Sequence, residues 1–228
     1  MKTEAVAPAS LSRINTPAAV IDKARMQRNI DRMQARMNAL GVRFRPHVKT
    51  SKCVDVARLQ TQAGASGITV STLKEAEQFF AAGFTDIFYA VGMAPHKLQQ
   101  ATALIRSGCA LRILIDNLAA AQAIVAYSQL EDVAFNVLIE IDTDGHRSGV
   151  KPEAPDLIDI AHALVVAPRV TLAGVMTHAG ASYDFHDAAS LQGIAEQERA
   201  LCVRRDLIAR RSAWAPRRPP FRRKRSTA

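Results

Sequence analysis

The residues that could do chemistry stand first in RFRPHVKTSKC, residues 43–53. An apolar run with Phe44 and Val48 hands over to Lys49 and Lys52 within four positions. A lysine amine is a nucleophile only when neutral, and partial burial favours that form by penalising the ammonium. A strand end would also hold such an amine more firmly than a loop. The chemistry this would serve is addition of an amine to a carbonyl. His47 lies two residues before Lys49 and shares its face in an extended chain. Lys52 falls in the turn that follows and is the weaker candidate. Taken alone, the stretch fits a solvated surface lysine after a strand at least as well.

Other polar residues close other apolar runs: Ser71 and Thr72, Asp116, Asp142 and His178. The turn IDTDG (141–145) has the look of a calcium loop but lacks the remaining ligands, including the bidentate glutamate. His178 and His186 stand eight apart, with Asp184 and Asp187 beside the second, and do not make a metal motif. Cys53, Cys109 and Cys202 are odd in number, far apart and without a C-x-x-C pair. They fit reduced thiols in a cytoplasmic protein.

The elements that must position these groups follow a repeating pattern. Strand-like runs occur at 42–48, 67–71, 86–91, 111–116, 135–142 and 172–178. Helical stretches lie between them at 72–83, 94–108, 117–129 and 154–167, and an amphipathic helix carrying Met26, Ile30, Met33, Met37 and Leu40 precedes them. Strands alternating with helices predict βαβ units and a parallel sheet. No Gly-x-Gly-x-x-Gly follows the first strand, and polar residues gather at several strand ends. That favours a β/α barrel over a doubly wound sheet. The expected fold is therefore α/β, an incomplete (β/α)8-type barrel of about six units.

Of the 228 residues, 48% are hydrophobic, enough for a sizeable core. No uncharged apolar stretch is long enough to span a membrane, and the N-terminus has no secretory apolar region. The net charge of +9 is confined to residues 204–228, where ten basic side chains meet one acid. The remaining body is neutral, which makes nucleic acid an unlikely partner. The expected organisation is an N-terminal arm (1–15), a partial barrel (16–203) and a basic, disordered tail (204–228).

RPHVKT (45–50), TPAAVID (16–22), GITVSTLKEAEQFFAAG (67–83), IEIDTDGHRSGV (139–150) and GVMTHAGASYD (174–184) together resemble, in order and spacing, the fold-type III pyridoxal phosphate enzymes. The similarity is to the D-threonine aldolase and eukaryotic-type D-serine dehydratase group, distant relatives of alanine racemase. The barrel would then be of the alanine racemase N-terminal domain kind. The resemblance implies that Lys49 carries pyridoxal 5'-phosphate and that His178 lies against its pyridine ring. It further implies that Arg147 approaches the ring substituents, that Tyr183 lines the site and that His47 stands near the cofactor. Ser51 departs from the family, which usually has histidine there. The Gly-Ser-Thr-Pro phosphate loop and the C-terminal β-domain with its metal ligands have no counterpart, so the chain reads as C-terminally truncated. A divalent metal is expected for the family, but its ligands are absent from this sequence. The implied activity is that of a lyase on small D-β-hydroxy amino acids, with aldol cleavage to glycine and an aldehyde put first. A D-serine dehydratase-like elimination of ammonia, or a non-catalytic cofactor-binding fragment, are the alternatives. A homodimer is compatible with this reading and not required by it.

Overall fold

The computed structural model describes residues 14–213. Five parallel strands form one sheet: β1 (Ile68–Val70), β2 (Asp86–Gly92), β3 (Ala110–Ile115), β4 (Phe135–Ile141) and β5 (Val170–Thr177). Their spatial order is their chain order. The helices are α1 (Lys23–Ala39), α2 (Val54–Gln62), α3 (Leu73–Ala81), α4 (Leu98–Arg106), α5 (Leu118–Leu130), α6 (Asp156–Val165) and α7 (Ala188–Ala213). A helix joins each pair of neighbouring strands, and the order never reverses. This is the single winding of a barrel, as the sequence predicts, and not a doubly wound sheet.

Alternation within the strands decides which face meets the helices. Ile87, Tyr89, Leu111, Ile113, Ile115, Phe135, Val137, Ile139 and Ile141 are almost wholly buried. They pack against helix residues such as Leu98, Ile124, Ile160 and Leu164. Each large side chain so buried contributes about 1.5–3 kcal/mol relative to exposure. The other face carries Thr69, Phe88, Arg112, Asn136, Leu138 and Glu140. It lines two hollows, one at each end of the sheet. At the N-terminal end Arg45 and Arg112 grip Asp86 at 2.6 and 2.5 Å. Burial alone would raise that carboxyl, but the two guanidinium groups hold it below its ordinary value.

Helix starts obey local chemistry. Asp22 accepts from Arg25 N–H and Asn117 from Ala120 N–H. Thr72 and Glu75 form a reciprocal capping box at α3, satisfying donors that a helix start would otherwise orphan.

The expected first strand, 42–48, is not one. Residues 44–48 run extended beside β1, with Ser66, Thr69 and Val48 N–H groups donating across, but only the bridge His47–Thr69 registers as pairing. Pro46 removes a donor from the middle of the segment, which interrupts a ladder. The helices α2 and α7 were not among the expected elements. The expected boundary at 204 falls inside α7, which runs on to Ala213. Most of the expected arm (1–13) and the rest of the expected tail (214–228) lie outside the described residues. Among the described residues no helix is long and apolar enough to cross a membrane.

Candidate active site

A cavity of about 580 Å³ lies at the C-terminal ends of the strands. His47, Lys49, Arg147, His178 and Tyr183, the five residues singled out in the sequence, all line it. They come from three separate segments: the stretch before α2, the loop between β4 and α6, and the loop after β5.

Lys49 begins the turn that leads to α2, and it is exposed rather than partly buried as the sequence argument expects. The reason is the uncovered inner face of the sheet, which leaves the lysine facing open space among the described residues. Its backbone N–H donates to His47 Nδ1 at 3.3 Å. That nitrogen must therefore be the bare one, so the ring proton sits on Nε2 and is donated to Ser71 Oγ at 3.3 Å. One tautomer is fixed from both sides. Burial, and then the Lys49 charge, hold the His47 pKa below its ordinary value, so the ring is neutral near pH 7.

Lys52 has a different task. Its φ of 46° closes the turn, and its Nζ lies 3.2 Å from Glu75 Oε1. Glu75 is buried, and its other oxygen accepts from the N–H groups of Ser71 and Thr72 at 2.8 and 3.3 Å. The carboxylate thus holds in place the serine that holds the histidine.

Arg147 is presented by a loop closed on β4. Val150 N–H donates to Glu140 O and Asp142 N–H to Val150 O, at 2.8 and 2.9 Å. Gly149 makes the closure possible: its φ is +131°, and a Cβ there would stand 2.5 Å from Asp142 N. Asp142 Oδ1 accepts from Asp144 N–H at 3.4 Å and from Gly145 N–H at 2.7 Å, so the Asp-rich turn is closed by its own first carboxylate. The stem of Arg147 crosses Gly180, where a Cβ would come within 2.8 Å of its Cγ.

His178 follows β5 and meets Tyr183 edge to face, with centroids 6.0 Å apart. Burial lowers its pKa, helped by Arg147 and Lys49 and opposed by Glu198 and Asp144. Those two acids also clamp the loop: Glu198 of α7 accepts from Ala179 N–H at 2.9 Å, and Asp144 accepts from Ala181 N–H at 2.7 Å. Tyr183 is 66% exposed.

Sequence reasoning passed over Ser148 and Glu140, which line the same cavity, and placed Ser71, which also lines it, at a strand end without a role. Glu140 had a legible signal. It interrupts the apolar run Ile139–Ile141 at a position whose neighbours on both sides face the helices.

A cavity at the carboxyl ends of a singly wound β/α sheet, with a lysine on its wall, is the site of the β/α-barrel class. Residues 21–210 match the family "Alanine racemase, N-terminal domain", and the chain belongs to that family. It is 61% identical over 195 residues to a D-threo-3-hydroxyaspartate dehydratase of Delftia sp. strain HT23, covering 85% of this chain and 51% of that one. The solved structure of the Delftia enzyme superposes with a TM-score of 0.85 over 88% of this chain and 53% of that chain, and a variant of it is known in a metal-free form. A D-serine dehydratase of Dictyostelium discoideum is 29% identical over 200 residues, covering 82% of this chain and 50% of that one. The crystal structure of a D-threonine aldolase from Filomicrobium marinum, 26% identical, superposes with a TM-score of 0.79 over 90% of this chain and 56% of that chain. The chain spans about half the length of the curated relatives it matches.

The family implies pyridoxal phosphate, and the donor set fits it: a primary amine for the aldehyde, a guanidinium for acidic oxygens, and imidazole and phenol rings for a flat heterocycle. Among the described residues no three His, Cys, Asp or Glu side chains come together to hold a metal ion.

Proposed function

We propose that this chain carries the cofactor site of a pyridoxal phosphate-dependent lyase acting on D-β-hydroxy amino acids, and that the reaction is elimination of water followed by hydrolysis of the resulting imine to ammonia and a 2-oxo acid. The observation that carries the reading is the convergence of Lys49, His47, Arg147, His178 and Tyr183 on one cavity at the strand ends. The 61% identity to a dehydratase of a β-hydroxylated D-amino acid favours elimination over the aldol cleavage that the sequence motifs put first.

In this reading Lys49 Nζ holds the cofactor by its aldehyde carbon. When bound, the cofactor withdraws electrons from the bonds at the substrate's Cα. Lys49 Nζ, the primary amine on the cavity wall, would also be the group to take the proton from the substrate's Cα. His47 contributes no proton there, because its Nε2–H is committed to Ser71 and its Nδ1 to the Lys49 backbone. Arg147 brings a permanent positive charge that attracts the acidic oxygens of cofactor and substrate. His178 and Tyr183 offer ring faces that exclude water from one side of a flat ligand.

The test is to incubate the full chain with pyridoxal phosphate, reduce with borohydride and map the modified residue by mass spectrometry. Stoichiometric labelling at Lys49, lost in Lys49→Ala and kept in Lys52→Ala, is expected. Labelling scattered over surface lysines would sink the reading. Incubation with D-threo-3-hydroxyaspartate, D-serine and D-threonine then separates the reactions: ammonia and a 2-oxo acid mark elimination, glycine and an aldehyde mark cleavage. Because the chain spans about half of its relatives, a second reading stands beside this one. In it the site binds the cofactor without turnover, which is labelling at Lys49 and neither set of products.

A further inference from the structure

We propose that Glu140 is the positioning residue for Arg147, the strand-borne group that anchors the loop from which the arginine reaches the cavity. The proposal deepens the reading of the cavity as a pyridoxal phosphate site and rests on it.

Glu140 is an expensive residue where it stands. It is 5% exposed, on a strand whose neighbouring residues Ile139 and Ile141 are wholly buried in the core. A carboxyl so placed loses most of its hydration, and an apolar side chain would avoid that loss. What Glu140 does in return is grip the Arg147 loop twice. Its Oε2 accepts from Ser148 Oγ at 3.0 Å, and its backbone oxygen accepts from Val150 N–H at 2.8 Å. Arg147 directly precedes the residue so gripped. On its other side Gly180 leaves room for the arginine stem and for nothing larger. The Arg147 stem is thus held between the Glu140-anchored loop and Gly180, and Glu140 and Arg147 line the same cavity.

The surrounding charges agree. Burial raises the Glu140 pKa, Asp116 after β3 and Asp142 at the end of β4 raise it further, and Ser148 and Arg147 oppose them. Lys49 and His178 face the same cavity from the remaining walls. A group fixed on a strand is a firmer reference than any on the loop itself.

The experiment is a double-mutant cycle on the dissociation constant of pyridoxal phosphate, read by absorbance titration of the full chain. Glu140→Gln keeps the shape and a hydrogen-bonding partner for Ser148 but removes the charge. It is expected to weaken binding about tenfold, the effect of losing one charge-assisted interaction. Glu140→Gln with Arg147→Gln should then bind no more weakly than Arg147→Gln alone, since Glu140 acts through the arginine. A merely structural role would give losses that add. Additive losses, or an unchanged constant in Glu140→Gln, would overturn the proposal. Ser148→Ala supplies a readout that needs no cofactor: amide hydrogen exchange over residues 143–150 of the free chain should accelerate, and exchange equal to wild type would overturn the anchoring. If Lys49→Ala binds the cofactor as wild type does while Ser148→Ala speeds exchange, the functional reading fails and the grip on the loop survives it.

Discussion

His47 shows how much of this site is set by single hydrogen bonds. Its two ring nitrogens have separate partners, one a backbone donor and one a serine hydroxyl, so protonation of the ring would break the first. That geometry has a consequence for stability. His47 and His178 both have pKa values lowered from 6.5. The unfolded chain therefore binds these protons at a higher pH than the folded chain does. Above the ordinary imidazole value the two histidines contribute no pH dependence. As pH falls through it, stability is lost, and the loss levels off once the lowered folded values are passed. Urea unfolding at about pH 7.5 and about pH 5.5, on either side of that value, should show this loss in the wild type. A variant carrying His47→Asn and His178→Asn should show a smaller one. Equal losses in the two proteins would mean that neither ring is held neutral by the fold. The Glu140 carboxyl, raised by its burial, shifts stability in the opposite sense as pH falls toward the ordinary carboxylate value, and the comparison by difference removes that contribution.

At the scale of elements, α3 is the part that organises the lysine segment from a distance. Glu75 closes the capping box with Thr72, accepts from Ser71 N–H at 2.8 Å and pairs with Lys52. Glu75→Ala should cost about 1–2 kcal/mol in chemical denaturation, the sum of a lost cap and orphaned donors. Lys52→Ala, removing a partner whose side chain is 66% exposed, should cost less than about 1 kcal/mol. Equal costs would mean that the ion pair and not the cap is what matters. The winding is legible in the sequence because it rests on local pattern, strand-like apolar runs followed by helical period. Lys49 and His178 are legible as chemical types at the ends of expected strands, whereas Arg147 stands out only through the family resemblance. The clamp on the loop after β5 is not legible, since Glu198 comes from α7, far along the chain and without a motif. The failed strand at 42–48 has a similar lesson. Its alternation was real, with Arg43 and Arg45 turned toward the N-terminal hollow, but Pro46 weighed more than the pattern.

At the scale of the whole molecule the sheet has two faces with opposite properties. The helix side is closed and apolar. The inner side leaves Asn136, Thr171 and Lys49 exposed, where a closed barrel would bury most such positions. Among the described residues β5 pairs with β4 alone, so one row of its backbone donors and acceptors is open. Such an edge is a template for a second chain. Cross-strand order makes the point of intervention clear, because Thr171 lies on β5 opposite Asn136 of β4 and faces the uncovered side. Sedimentation velocity over rising concentration should show wild-type boundaries moving to larger species. Thr171→Lys places a charge on the edge and should return the protein toward monomer, with its circular dichroism unchanged. A single monomer boundary for wild type at every concentration would mean that the edge is covered within the chain itself. The cavity of Lys49 would then be closed by the same cover, and its lysine would be less open to solvent than the described residues leave it.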